Sequence, residues 1–277
     1  MKTFTKILTF FTFITIFIGC KQAGEYQVFA LKYGDGGKAS ANGPIIGASQ
    51  NDSIDITLMF WLLKDPNDRN ILVDAGFIDS THSIKNFIRP DSILLQLNIS
   101  PQEISDIIIT HPHYDHIGGM TLFPNAMIWM NQDDYEYFIG PAWEPGGISV
   151  GFNKNDVNNI LRIKSQGRLK LIKGDNIEIM PGIKVFTGSK HTFENIYLLV
   201  NSNSPKNKAI LASDAIWYYL NLEKELPISL CLDTSSYVKA IKRMKTLVTN
   251  QNLIIPGHDN KVFTKFPKVH DRIVQIE

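Results

Sequence analysis

Apolar residues in this chain come in short runs, either alternating with polar positions or cut off by Gly, Pro, Asn and Asp. Runs of this length predict strands over residues 28–33, 54–63, 70–74, 106–110, 126–130, 168–172, 177–180, 183–187, 196–200, 209–212 and 253–255. Pro66, Asn67 and Asp68 are a turn signal that joins the second and third of these as a hairpin. Helical signals are fewer. Ser80 caps a short helix that ends before Pro90, residues 92–96 are helical, and residues 133–138 begin another helix. Ser100-Pro101-Gln102-Glu103 is a capping box with Pro at the first helical position, opening a brief helix. Val157, Ile160, Leu161 and Lys164 share one helical spacing, and Val238, Ile241, Met244, Leu247 and Val248 form an apolar stripe. Residues 34–47, rich in Gly, Ala and Ser, and the polar residues 201–208 read as loops. Strands fall in two sets, residues 26–135 and 168–258, with helices after each. That order predicts an α/β chain folded as a layered sandwich with helices outside.

The N-terminus departs from this pattern. Lys2 and Lys6 precede an apolar stretch, residues 7–18, interrupted only by threonines. The stretch is too short to span a bilayer and reads as a targeting segment, to be set apart from the fold. It ends Phe17-Ile18-Gly19-Cys20, which resembles a bacterial lipobox with Phe17 in place of the usual Leu. The resemblance implies a signal peptide over residues 1–20 and a lipid on Cys20. It also implies an exported protein held to a membrane and facing the periplasm or cell exterior. An uncleaved anchor or an ordinary signal peptide are the other readings. Residues 21–27 then form a linker and residues 28–277 a single domain. Cys20 and Cys231 are the only cysteines, so no internal disulfide is expected, and Cys231, in an apolar run, reads as a small buried hydrophobe. The 28 basic and 27 acidic side chains nearly cancel, which leaves no electrostatic footprint for nucleic acid. The basic residues Lys239, Lys242, Arg243 and Lys245 lie off the apolar stripe and read as a solvated face. Nothing in the sequence sets an oligomeric state.

The chemistry is concentrated where the run 106–110 ends, in His111-Pro112-His113-Tyr114-Asp115-His116. Three imidazoles and a carboxylate within six residues suit zinc or a similar transition metal, and a strand end holds them rigidly. His191, Asp214 and His258 also stand at strand ends, where ligands from both halves can converge on one edge of a sandwich. His82 and His270 have no such setting and read as ordinary surface residues. Asp74, ending the run 70–74, is read either as a partner that orients a metal-bound histidine or as a turn cap. Residues 140–152, with Pro141, Trp143, Pro145 and Phe152 among several glycines, read either as a binding loop or as a surface connection with Trp143 packed on the core.

This pattern resembles the metallo-β-lactamase superfamily of metal-dependent hydrolases. The resemblance rests on His-x-His-x-Asp-His, a later His, a later Asp and the closing Gly257-His258, and it spans the chain beyond the targeting segment. It implies an αββα sandwich, two mixed sheets with helices on the outer faces, and a two-metal site. His111, His113 and His191 would hold one metal, Asp115, His116 and His258 the other, and Asp214 would bridge them. Histidine at position 113, where the diiron oxygen-reducing branch has Glu, argues for two zinc ions, although other divalent metals would fit. Ser189-Lys190-His191-Thr192-Phe193-Glu194, Ser213-Asp214-Ala215-Ile216-Trp217 and Pro256-Gly257-His258-Asp259 are most similar to the N-acyl homoserine lactonase group. That similarity implies hydrolysis of a small lactone or related ester by a metal-bridging hydroxide, with Asp115 orienting the nucleophile or shuttling its proton. Lactonases carry a Tyr a few residues after the bridging Asp. Here Trp217 is the nearest aromatic, with Tyr218 or Tyr219 as possible substitutes. Trp217, Tyr218, Trp143 and Phe152 are candidate substrate contacts, or else ordinary core aromatics. Hydrolysis of a β-lactam, thioester or phosphodiester, and a non-catalytic metal- or ligand-binding lipoprotein, are the alternatives.

Overall fold

The computed structural model describes residues 24–67, 69–78, 84–202 and 208–276. The lipobox, with Cys20, and Ser80 and His82 lie outside them. Two sheets face each other. The larger has eight strands: β1 (Gln27–Ser40), β2 (Ser53–Lys64), β3 (Asn70–Val73), β4 (Ile104–Ile109), β5 (Met127–Asn131), β6 (Leu169–Ile172), β12 (Lys268–His270) and β13 (Ile273–Ile276). Their order across the sheet is β12-β13-β1-β2-β3-β4-β5-β6. The smaller, in the order β11-β10-β9-β8-β7, has five: β7 (Ile177–Met180), β8 (Ile183–Phe186), β9 (Tyr197–Asn201), β10 (Lys208–Ser213) and β11 (Ile254–Pro256). Both mix parallel and antiparallel pairs; β3, β4, β5 and β6 run parallel, as do β10 and β11. The helices are α1 (Pro90–Leu94), α2 (Tyr114–Ile117), α3 (Gln132–Ile139), α4 (Lys154–Ser165), α5 (Tyr219–Lys224), α6 (Thr234–Leu247) and α7 (Val262–Lys265).

The period-two geometry of a strand explains why the central runs are continuously apolar. Met59, Trp61 and Leu63 of β2, with Val73 and Ile108, face the smaller sheet in one core. Their alternates Leu58, Phe60 and Leu62, with Leu72, Ile107 and Ile109, face the helical layer, where Ile93, Phe138, Ile160 and Ile163 of α1, α3 and α4 meet them. Each fully buried Leu, Ile or Phe contributes about 1.5–3 kcal/mol, so the two cores stabilise the chain without a disulfide. The capping box at Ser100 is formed, with Glu103 accepting from the Ser100 backbone N–H at 2.7 Å.

Three expectations need correcting. Residues 34–40 are strand, not loop: β1 pairs with β2 along its whole length through two bulges. A Cβ on Gly36 would stand 2.6 Å from Ile56 Cγ2, so glycine here marks close approach of strands rather than a turn. Residues 84–89, expected to be helical, are not. The larger sheet takes in β6 and the unforeseen β12 and β13. Tyr26 and Gln27 belong to the fold rather than to a linker. Tyr26 is buried, its N–H donates to the Asn201 carbonyl at 3.0 Å and its hydroxyl to that of Pro181 at 2.9 Å.

Candidate metal centre

The strands β3, β4, β10 and β11 all finish at one end of the sandwich, and the candidate ligands stand there. His111 follows β4. His113 precedes α2, a helix of only four residues that returns Asp115 and His116 toward the strand ends. His191 lies in the β8–β9 connection, Asp214 just after β10 and His258 just after β11. Backbone conformation at these strand ends is unusual. Asp74, Lys190 and Ser213 hold φ of 64°, 57° and 46°. Each costs on the order of 1–3 kcal/mol for a residue with a Cβ, a cost typical of sites whose geometry matters.

The side chains converge in two groups. His111, His113, His191 and Asp214 form one, and Asp115, His116 and His258 the other, with the ligand atoms of each group within 4.8 Å of one another. Asp214 stands between them. Its Oδ2 is 3.0 Å from His191 Nε2 and 3.7 Å from His111 Nε2, and its Oδ1 is 3.0 Å from His258 Nε2 and 3.3 Å from His116 Nε2. Four of the five imidazoles are fixed by their other nitrogen. His111 Nδ1 bonds Thr110 Oγ1 (3.0 Å), His116 Nδ1 bonds Asp74 Oδ2 (2.8 Å), His191 Nδ1 bonds the Leu230 carbonyl (2.7 Å), and His258 Nδ1 bonds the Thr57 carbonyl (3.0 Å). Such bonds place the proton on Nδ1 and leave Nε2 free to bind. Asp74 therefore orients His116, and it also accepts from the Thr110 N–H and hydroxyl and from the Ser213 hydroxyl. His113 presents Nδ1, 3.1 Å from His111 Nε2 and 3.0 Å from His191 Nε2. A Cβ on Gly151 would come within 2.6 Å of the His113 ring, and φ there is +78°, so glycine lets the backbone lie against that imidazole.

These residues fit a metal. His116 Nε2 and Asp214 Oδ1 are buried and 3.3 Å apart, yet neither makes a hydrogen bond. Polar atoms buried without partners cost about 1–3 kcal/mol each, more when charged, and a cation between them would remove that cost. Electrostatics divide the groups. Burial drives the His111 pKa well below the ordinary imidazole value and that of His113 down to about 3, leaving neutral nitrogens. Burial also opposes charge on His116, but Asp115, Asp214 and Asp74 outweigh it and raise that pKa well above 6.5. His258 is raised as well, burial being overcome by Asp214. Burial opposes ionisation of Asp115, but His116 and His258 hold its carboxyl down, at about 2.

Two cavities open on this centre, sharing His113 and Leu230. The larger, about 310 Å³, is walled by Pro44, Ile56, Leu58, Ile84, Trp217 and Tyr218 and reaches Asp115, Asp214 and His258. The smaller, about 80 Å³, is lined by Tyr137, Phe152, Phe193 and Leu232. Trp217 bridges wall and centre, its indole N–H donating to Asp214 Oδ2 at 2.6 Å. Tyr218 lines the larger cavity, whereas Tyr219 packs into the core. Phe152 lies 5.4 Å from the His113 ring. Trp143 lines neither cavity: its indole N–H is spent on the Phe138 carbonyl, and the ring backs Phe138 and Phe152. Cys231 is half-buried, packed against the core and lining the smaller cavity, and His270 is exposed. Thr110, Ser213, Asn195 and Asp134, which hold the ligand-bearing loops, went unread in the sequence, because each acts on a partner remote along the chain or carries no motif.

The sequence profile of the Metallo-beta-lactamase superfamily matches residues 59–258. An N-acyl homoserine lactonase of Bacillus cereus is 25% identical over 223 residues, covering 74% of this chain and 82% of that protein. Among solved structures, a quorum-quenching N-acyl homoserine lactone lactonase superposes with a TM-score of 0.68 at 23% identity, covering 87% of this chain and 95% of the other. AidC, a dizinc quorum-quenching lactonase, superposes with a TM-score of 0.65 at 18% identity, covering 86% and 88%.

Proposed function

The chain belongs to the metallo-beta-lactamase superfamily, and from that premise we propose that it is a metal-dependent hydrolase, most simply dizinc, that opens a lactone or related ester carrying an apolar chain. The observation that carries the two-metal reading is Asp214, which turns one carboxylate oxygen to each histidine group. His111, His113 and His191 would hold one cation, Asp115, His116 and His258 the other, with Asp214 shared. Divalent cations held there would supply Lewis acidity toward a carbonyl oxygen and would bring the pKa of water from about 16 to about 7.

The chain's own residues do the rest. Asp115 faces the larger cavity with its carboxyl held ionised, so it can accept a hydrogen bond from the attacking water and carry its proton toward the leaving oxygen. Tyr218, on the same wall, carries a phenol that is protonated at neutral pH, and burial pushes its pKa further up. Of Tyr218 and Tyr219, it is the one placed to donate to a substrate carbonyl. Trp217 holds Asp214 in place and offers its ring face to the cavity. The aliphatic wall of Pro44, Ile56, Leu58 and Ile84 suits an acyl chain. Similarity to the lactonases supports the same substrate class. The lipobox supports an exported protein anchored through Cys20.

A panel of acyl lactones, thioesters, β-lactams and phosphodiesters, offered to the metal-loaded protein, tests the reading. Lactone opening is expected to dominate. Preference for a lactam or phosphodiester would replace it with another reaction of the superfamily, and no turnover of any class would reduce the site to metal or ligand binding.

A further inference from the structure

The first group of ligands is assembled across two layers. His111 and His113 come off β4 of the larger sheet, while His191 comes from the β8–β9 connection of the smaller one. The distances of 3.0 and 3.1 Å between His113 Nδ1 and its two neighbours therefore depend on how that connection is registered on the opposite layer.

Asp134 makes the side-chain part of this registration. It sits on α3, next to the end of β5 in the larger sheet, and is fully buried. Its Oδ2 accepts from the Thr192 hydroxyl at 2.7 Å and its Oδ1 from the Glu194 N–H at 3.0 Å. Both partners lie in the turn directly after His191. Inside that turn Asn195 Oδ1 accepts from the His191 N–H at 3.0 Å and from the Ser189 hydroxyl at 2.7 Å. The Leu232 N–H donates to the Lys190 carbonyl at 2.7 Å, and Lys190 pairs with Glu194. The turn is thus closed on itself. The Ile196 N–H, donating to the Thr110 carbonyl at 2.9 Å, holds its far end to β4, and Asp134 ties the stretch next to His191 to the layer carrying His111 and His113.

Asp134 makes no ion pair among the described residues. A buried carboxylate without a cation costs several kcal/mol of desolvation, on the order expected for real proteins, and an apolar residue at this point would serve the core better. What the carboxylate adds is a pair of acceptors, one for each end of a single turn. An amide offers one acceptor and an alanine none.

We infer that Asp134 is a positioning residue for the first metal, setting His191 Nε2 against His111 and His113. This rests on the metal reading of the site. Groups that orient metal-bound histidines typically cost about 10–100-fold in affinity when removed. Zinc competition with a chromophoric chelator, together with the visible spectrum of the cobalt-loaded protein, tests it on the full chain. Wild type is expected to hold two metals. Asp134→Ala should weaken one of them roughly ten- to hundredfold and change the cobalt spectrum of that site, leaving the other at wild-type affinity. Asp134→Asn should fall between the two. Thr192→Val, which removes a partner from the other side, should weaken the same site to a smaller degree. Should Asp134→Ala fail to fold, Asp134→Asn and Thr192→Val carry the test. Two metals at wild-type affinity and spectrum in the folded variants, or equal weakening of both metals, would overturn the positioning role alone. A wild type that takes up no metal would overturn the metal reading and this inference with it.

Discussion

At the scale of single residues, the site is defined by which nitrogen of each histidine is already spoken for. Thr110, Asp74, the Leu230 carbonyl and the Thr57 carbonyl each take one nitrogen, and the other four converge on Asp214. The two groups then differ in charge. His111 and His113 are kept neutral by burial, whereas His116 and His258 are drawn toward the protonated form by the carboxylates around them. A metal binding the second group must displace protons whose pKa values are raised, and protons compete more strongly as pH falls. Bound metal measured from about pH 8 down to about pH 5, the range in which imidazoles titrate, should show the second group emptying first. Loss of the first group ahead of it would contradict this assignment of charge. His111, His113, Asp115 and His116 were legible in the sequence because the motif packs four candidate ligands into six residues, and His191 and His258 because they stand at strand ends. Asp74 was legible as one of two alternatives, which the 2.8 Å bond to His116 separates. Asp134 and Asn195 were not legible, since an isolated Asp or Asn in an α/β chain has many equivalent uses.

At the scale of elements, the strand ends were foreseen and the hairpin above them was not. The glycines of residues 34–37 resemble a loop until β2 is seen to press on them, at which point they become the means by which β1 bends through two bulges beside Ile56. This extended hairpin matters for function because Gly36, Ile56 and Leu58 form one side of the larger cavity. Ile56→Phe should therefore narrow the cavity and shift preference toward short acyl chains. One or two methylenes in an apolar pocket discriminate by about 10–200-fold, so a shift of roughly tenfold in the ratio of kcat/KM for short over long substrates is the expected scale. An unchanged ratio across a chain-length series would place the acyl chain elsewhere. β12, β13 and α7 went unpredicted.

At the scale of the whole molecule, the layered α/β sandwich was legible from strand-rich sets with helices after them, while the membership of each sheet was not. Sheet membership follows from crossovers, and no local pattern announces that residues 273–276 pair with β1. The topology also separates two ends. Tyr26 meets Asn201 and Ser202 near the beginning of β10, whereas Asp214 follows the end of that strand. Tyr26, six residues after Cys20, thus stands at the end of the sandwich away from the metal centre. Cys20→Ser should release the protein from membranes and leave lactone hydrolysis by the released protein close to the wild-type rate. Retention on membranes after a salt wash would contradict the anchor. The central claim, that seven side chains from both sheets hold two metals through a shared Asp214, is tested most directly by the metal content of the zinc-loaded, dialysed protein beside that of Asp214→Ala. Two zinc ions per chain in wild type, falling to one or fewer in the variant, is the predicted result. Wild type retaining fewer than two, or the variant retaining both, would contradict it.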